Sequence, residues 1–126
     1  MINRPTLLLV DDDVTLLHAT AQLLDLSGFD AILSDTSIEA LSLLTQTSVA
    51  AVLIDIFMPD RDGVETISEM RSRWPDLPII AMSGGWRAIK AEQALAMAEG
   101  LGANAILSKP FDRQALLAAL AQAGLA

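Results

Sequence analysis

At 126 residues the chain is long enough for one domain with a single sizeable core, and it is expected to form one domain over residues 1–126. It has no cysteine, which excludes a disulfide scaffold and a thiolate metal site. A net charge of −8 argues against a nucleic-acid backbone as direct partner and fits a cation ligand, or a protein with a basic face.

The pattern alternates strand and helix five times. Thr6–Val10 reads as the first strand, because its all-apolar run suits a central strand of a parallel sheet covered on both faces. Val14–Ser27 follows as a helix with Leu17, Ala21 and Leu24 on one face. Phe29–Leu33 is the second strand. Thr36 and Glu39 form a capping box that opens a helix running through Thr45. Ala51–Asp55 is the third strand. Asp62 and Glu65 start a helix that ends before Trp74-Pro75. Pro78–Met82 and Asn104–Ser108 complete the strands, and Ala91, Ala94, Leu95 and Ala98 give the helix between them its apolar stripe. Asp112 caps a last helix carrying Leu116, Leu117 and Leu120. Right-handed crossovers between these elements give an α/β fold, a doubly wound parallel sheet of five strands with five helices. No segment approaches the roughly 18 consecutive apolar residues that a membrane span needs. The start, Met1-Ile2-Asn3-Arg4-Pro5, lacks the basic and apolar segments of a signal peptide. A cytoplasmic domain without membrane contact is therefore expected.

The polar residues that end strands share one edge. Asp11 and Asp12 follow the first strand, Asp55 ends the third, Ser83 follows the fourth and Lys109 follows the fifth. In open α/β sheets that edge is where ligands bind. Three converging carboxylates repel one another unless a cation joins them. Hard oxygen ligands without His or Cys favour Mg²⁺ or its like, which keeps several waters and accepts phosphate oxygens. A carboxylate beside such a metal can attack a phosphoryl group and form an acyl phosphate. A lysine ammonium and a serine hydroxyl would then steady the phosphoryl oxygens. The site has the parts to phosphorylate its own aspartate.

These residues carry a family resemblance. Leu8-Leu9-Val10-Asp11-Asp12-Asp13, the run from Leu53 to Gly63 with Asp55, Met58-Pro59 and Asp62-Gly63, Pro78 to Gly84, and Ser108-Lys109-Pro110-Phe111 resemble the receiver domain of two-component response regulators, of the single-domain chemotaxis-regulator type. The resemblance covers the whole chain. It implies a flavodoxin-like sheet of order 2-1-3-4-5, with Asp55 as phosphoacceptor. Asp12 would hold Mg²⁺ (or Mn²⁺) directly and Asp11 mainly through water, with the Phe57 backbone carbonyl completing the protein ligands. Lys109 would pair with the phosphoryl group, Ser83 would hydrogen-bond it in the active state, and the Lys109-Pro110 peptide would be cis.

Other residues take plainer readings. Asp13 is a helix N-cap, Asp60, Arg61 and Asp62 are loop and cap residues, and His18 faces solvent. Two departures from the family stand out. The position three residues before Lys109, often aromatic, is Ile106, which has no polar tip to swing between water and core. Lys109 lies 26 residues after Ser83, a spacing longer than usual by about one helical turn. The added length falls near Gly84-Gly85-Trp86. Trp86 is read either as the moving part that replaces the missing aromatic, or as a static lid or partner contact.

The expected function is that of a phosphoacceptor switch rather than an enzyme. It would be charged by a sensor histidine kinase or a histidine phosphotransfer protein, and would act on a downstream protein target without touching nucleic acid. A receiver cut from a longer regulator with its own output domain is the second reading. A phosphate-independent flavodoxin-like binding module ranks far behind, because carboxylates stand where such modules place a phosphate cradle.

Overall fold

The computed structural model describes residues 4–84, 93, 96 and 98–125. Its strands are β1 (Thr6–Val10), β2 (Asp30–Ser34), β3 (Ala51–Asp55), β4 (Ile79–Gly84) and β5 (Ala105–Lys109). They form one parallel sheet in the order β2-β1-β3-β4-β5. The helices are α1 (Val14–Leu26), α2 (Ser37–Gln46), α3 (Gly63–Arg73) and a C-terminal helix, Arg113–Gln122. Residues 98–100, with Gln93 and Ala96, are helical where the fourth of the five expected helices falls.

Burial explains why the sheet forms. β1 and β3 are covered on both faces, so alternate residues enter two separate cores. Leu7, Leu9 and Leu53 meet Leu17 and Leu24 of α1 and Leu116 and Leu120 of the C-terminal helix. Leu8, Val52 and Ile54 meet Leu41 and Leu44 of α2, Ile67 and Met70 of α3, and Ala98. Each such side chain stabilises the fold by about 1.5–3 kcal/mol on burial, and truncating Leu8 to alanine would cost about 2–5 kcal/mol. Of the expected stripe on the fourth helix, Ala98 is buried, while Ala91, Ala94 and Leu95 lie outside the described residues.

Capping follows the sequence closely. The side chains of Asp13, Thr36, Asp62 and Asp112 accept hydrogen bonds from the amides of Leu16, Glu39, Val64 and Ala115. His18 is exposed, as expected. Strand ends depart from expectation by one or two residues. β2 starts at Asp30 rather than Phe29, because the Phe29 amide closes α1 by donating to the Leu24 carbonyl. Gly28, at φ +93°, makes that helix end possible. β4 runs on through Ser83 and Gly84, which pair in register with Ser108 and Lys109. Ser83 and Lys109 thus belong to their strands instead of following them. Among the described residues no helix is long and apolar enough to cross a membrane.

Candidate functional site

β1 and β3 are neighbours in the sheet, so their carboxyl ends bring Asp11 and Asp55 side by side. Both are buried, whereas Asp12 is exposed. One carboxylate oxygen from each of Asp11, Asp12 and Asp55 lies within 4.8 Å of the others. β5, two strands away from β3, delivers Lys109 to the same point. Its ammonium donates to Asp11 Oδ2 and, at 2.5 Å, to Asp55 Oδ2. The remaining oxygens are held by the backbone: Asp11 Oδ1 accepts from the Asp13 amide at 3.0 Å, and Asp55 Oδ1 from the Phe57 amide at 2.7 Å.

Burial pushes the Asp11 carboxyl above the ordinary carboxylate range, and the hydrogen bonds from Lys109 and the Asp13 amide offset only part of that. Burial alone would lower the Lys109 ammonium. Its hydrogen bonds to Asp11 and Asp55 outweigh that effect and hold it above its usual value. Among the described residues one ammonium therefore offsets three carboxylates, and a divalent cation would neutralise what is left.

The site opens into a cleft of about 750 Å³, lined among others by Asp12, Phe57, Gly84, Lys109 and Phe111. Ser83, next to Gly84, is 2% exposed, and among the described residues its hydroxyl has no hydrogen-bond partner. A buried hydroxyl without a partner costs free energy. Its lone donor fits a ligand oxygen, and the all-oxygen donor set fits Mg²⁺ or Mn²⁺. A second cleft of about 550 Å³ lies at the opposite edge of the sheet, between the ends of α2 and α3. It gathers no comparable set of charges.

The loop from β3 to α3 shapes the floor of the site. Gly63 donates to the Ile56 carbonyl at 3.0 Å, Phe57 bridges to Asp62, and Met58 is buried. The Lys109-Pro110 peptide is cis, as the resemblance implies.

The family model for the response regulator receiver domain matches residues 7–121. The chain belongs to this family. It is 37% identical over 112 residues to the transcriptional regulatory protein CpxR homolog of Haemophilus influenzae, an alignment covering 89% of this chain and 47% of that protein. The chain thus spans about half the length of the curated relatives it matches first. Among solved structures, the signal receiver domain of an HD domain-containing protein from Pseudomonas fluorescens Pf-5 is similar at a TM-score of 0.84 and 31% identity, over 98% of this chain and 88% of that one. A sensor protein from Polaromonas sp. JS666 matches at a TM-score of 0.84 and 30% identity, over 96% of both chains.

Of the residues singled out in the sequence, the structure brings Asp11, Asp12, Asp55, Phe57 and Lys109 to one cleft and places Ser83 beside it. Ile106 is half-buried and packs against the core shared by α2 and α3, away from the cleft lining. Trp86 lies outside the described residues. One contact escaped the sequence reading. Asp60 caps α2, a helix earlier in the chain, with its two oxygens accepting from the amides of Ser37 and Ile38 at 3.2 Å each.

Proposed function

We propose that this receiver domain carries its phosphoryl group on Asp55, in a reaction that requires Mg²⁺ or Mn²⁺. Receiver domains are phosphoacceptor switches rather than enzymes acting on a separate substrate. The observation that carries the reading is the Lys109 ammonium shared between Asp11 and Asp55, beside a buried hydroxyl that has no partner among the described residues.

Asp11, Asp12, Asp55 and the Phe57 carbonyl would hold the cation. When bound, the metal supplies charge that neutralises the phosphoryl oxygens in the transition state. The Phe57 amide fixes one Asp55 oxygen and so orients the carboxylate. An Asp55 oxygen attacks the phosphorus of a phosphohistidine. The O–P bond forms as the P–N bond breaks, and the electron pair leaves with the imidazole nitrogen. Lys109 exchanges part of its carboxylate contact for a phosphoryl oxygen, and Ser83 donates its free hydrogen bond to another. That rearrangement biases a surface between two states, which needs only a coupling of about 1–3 kcal/mol.

The phosphodonor would be a sensor histidine kinase or a histidine phosphotransfer protein, and the output a protein target. Intact mass after incubation with acetyl phosphate tests the reading. One phosphoryl adduct is expected with Mg²⁺, none after chelation, and none in Asp55→Asn. An adduct of equal yield in Asp55→Asn would overturn the assignment.

A further inference from the structure

The Asp60 contact reaches beyond helix capping. α2 opens with three amides that lack partners within the helix. Thr36 Oγ1 takes the Glu39 amide, and Asp60, more than twenty residues away, takes those of Ser37 and Ile38. A local side chain at Thr36 already caps this helix. The second, remote cap therefore fastens something besides the helix: the loop that carries Phe57.

Several hydrogen bonds tie that loop down. The Phe57 amide binds Asp55, the Gly63 amide binds Ile56, and Asp60 binds α2. The first two lie within the loop's own ends. Asp60 joins the loop tip to α2, as Arg61 joins it to Glu65 and Glu69 of α3. The α2 start is in turn tied to the carboxylate cluster. Ser34 Oγ donates to the Thr36 carbonyl at 2.8 Å, and the Ser34 carbonyl accepts from the Asp11 amide at 3.1 Å. A hydrogen-bonded path thus joins the two segments that present oxygens to the cleft.

We infer that Asp60 is a positioning residue for the metal site, which holds the Phe57 carbonyl in place by clamping its loop to the amino terminus of α2. The inference rests on the proposed metal-dependent function. Asp60 carries a negative charge at the positive end of the helix, where charge-assisted hydrogen bonds are strong. Groups that orient metal ligands in this way typically change affinity by about 10–100-fold when removed. Asp60 is exposed, which puts the effect at the low end of that range.

Isothermal titration of the whole chain with MgCl₂ tests this, with thermal melts of the same samples. Asp60→Ala is expected to bind Mg²⁺ about tenfold more weakly than wild type, and Asp60→Asn, which keeps one acceptor, to fall between. Thr36→Ala, which loosens the same helix without touching the loop, should lower the melting temperature and leave the Mg²⁺ affinity unchanged. Asp60→Asn carries the comparison if the alanine variant fails to fold. Wild-type affinity in both Asp60 variants would overturn the inference while leaving the proposed function intact. So would an equal loss of affinity in Thr36→Ala. Failure of the wild-type chain to bind Mg²⁺ would overturn both.

Discussion

Gly63 lies so close to Ile56 that a Cβ at position 63 would sit 2.3 Å from the Ile56 Cα. The first turn of α3 is thereby pressed onto the end of β3, one residue after Asp55. The neighbour is backbone, so no side-chain rotation can relieve the overlap. Gly63→Ala should cost about 3 kcal/mol or more, since overpacking here must move main chain. Urea denaturation checks it, and a loss under about 1 kcal/mol would show that the loop can yield.

Ser83 predicts an opposite response in two measurements. Its buried hydroxyl has no partner among the described residues, so Ser83→Ala should leave stability unchanged or raise it by about 1 kcal/mol. The same variant should gain less from phosphorylation than wild type, by roughly 2 kcal/mol, because a hydrogen bond to a charged oxygen is lost. Melting curves with and without acetyl phosphate and Mg²⁺ separate the two effects.

Lys109 is the counter-ion for Asp11 and Asp55. Lys109→Met should destabilise the metal-free chain by roughly 2 kcal/mol, as it strands two buried carboxylates. It should also tighten Mg²⁺ binding by about tenfold, or roughly 1.4 kcal/mol, because a competing positive charge is gone. Calorimetric titration with MgCl₂ reads the second effect, and weaker binding would contradict it.

Arg61 extends from the same loop to the other side, donating to Glu69 at 2.7 Å and to Glu65 at 3.3 Å. Glu69 also accepts from Arg73. These partners, Arg61 first, hold the Glu69 carboxyl below the ordinary carboxylate range. A depressed folded value means that the contribution to stability is present above the unfolded value, near 4.5, and is lost as pH falls through the depressed one. Glu69→Gln should therefore remove part of the acid limb of the stability profile and leave its alkaline limb unchanged. High salt should shrink the difference, because the pair is partly exposed.

What the sequence disclosed depended on how local each signal was. β3 was legible to the residue, since an apolar run that stops at Asp55 marks both strand and site. The caps at Asp13, Thr36, Asp62 and Asp112 were legible because donor and acceptor lie within three residues of one another. β2 was shifted by one residue because Phe29, apolar like a strand residue, spends its amide on closing α1. β4 was cut short because Ser83 and Gly84 look like a turn, and only pairing with β5 keeps them extended. The clamp from Asp60 to α2 spans 22 and 23 residues, and the hydrogen bond from Arg71 to Asn104 spans 33. Neither leaves a spacing signal, because each partner is set by how helices pack across the sheet.

Which residue carries the phosphoryl group can be read directly. Borohydride reduces an acyl phosphate to the alcohol, so a phosphorylated aspartate becomes homoserine and can be located by peptide mass mapping. After incubation with acetyl phosphate and Mg²⁺, homoserine is expected at Asp55 and at neither Asp11 nor Asp12. Homoserine at either of those, or at no position despite a phosphoryl adduct in the intact mass, would contradict the Asp55 assignment.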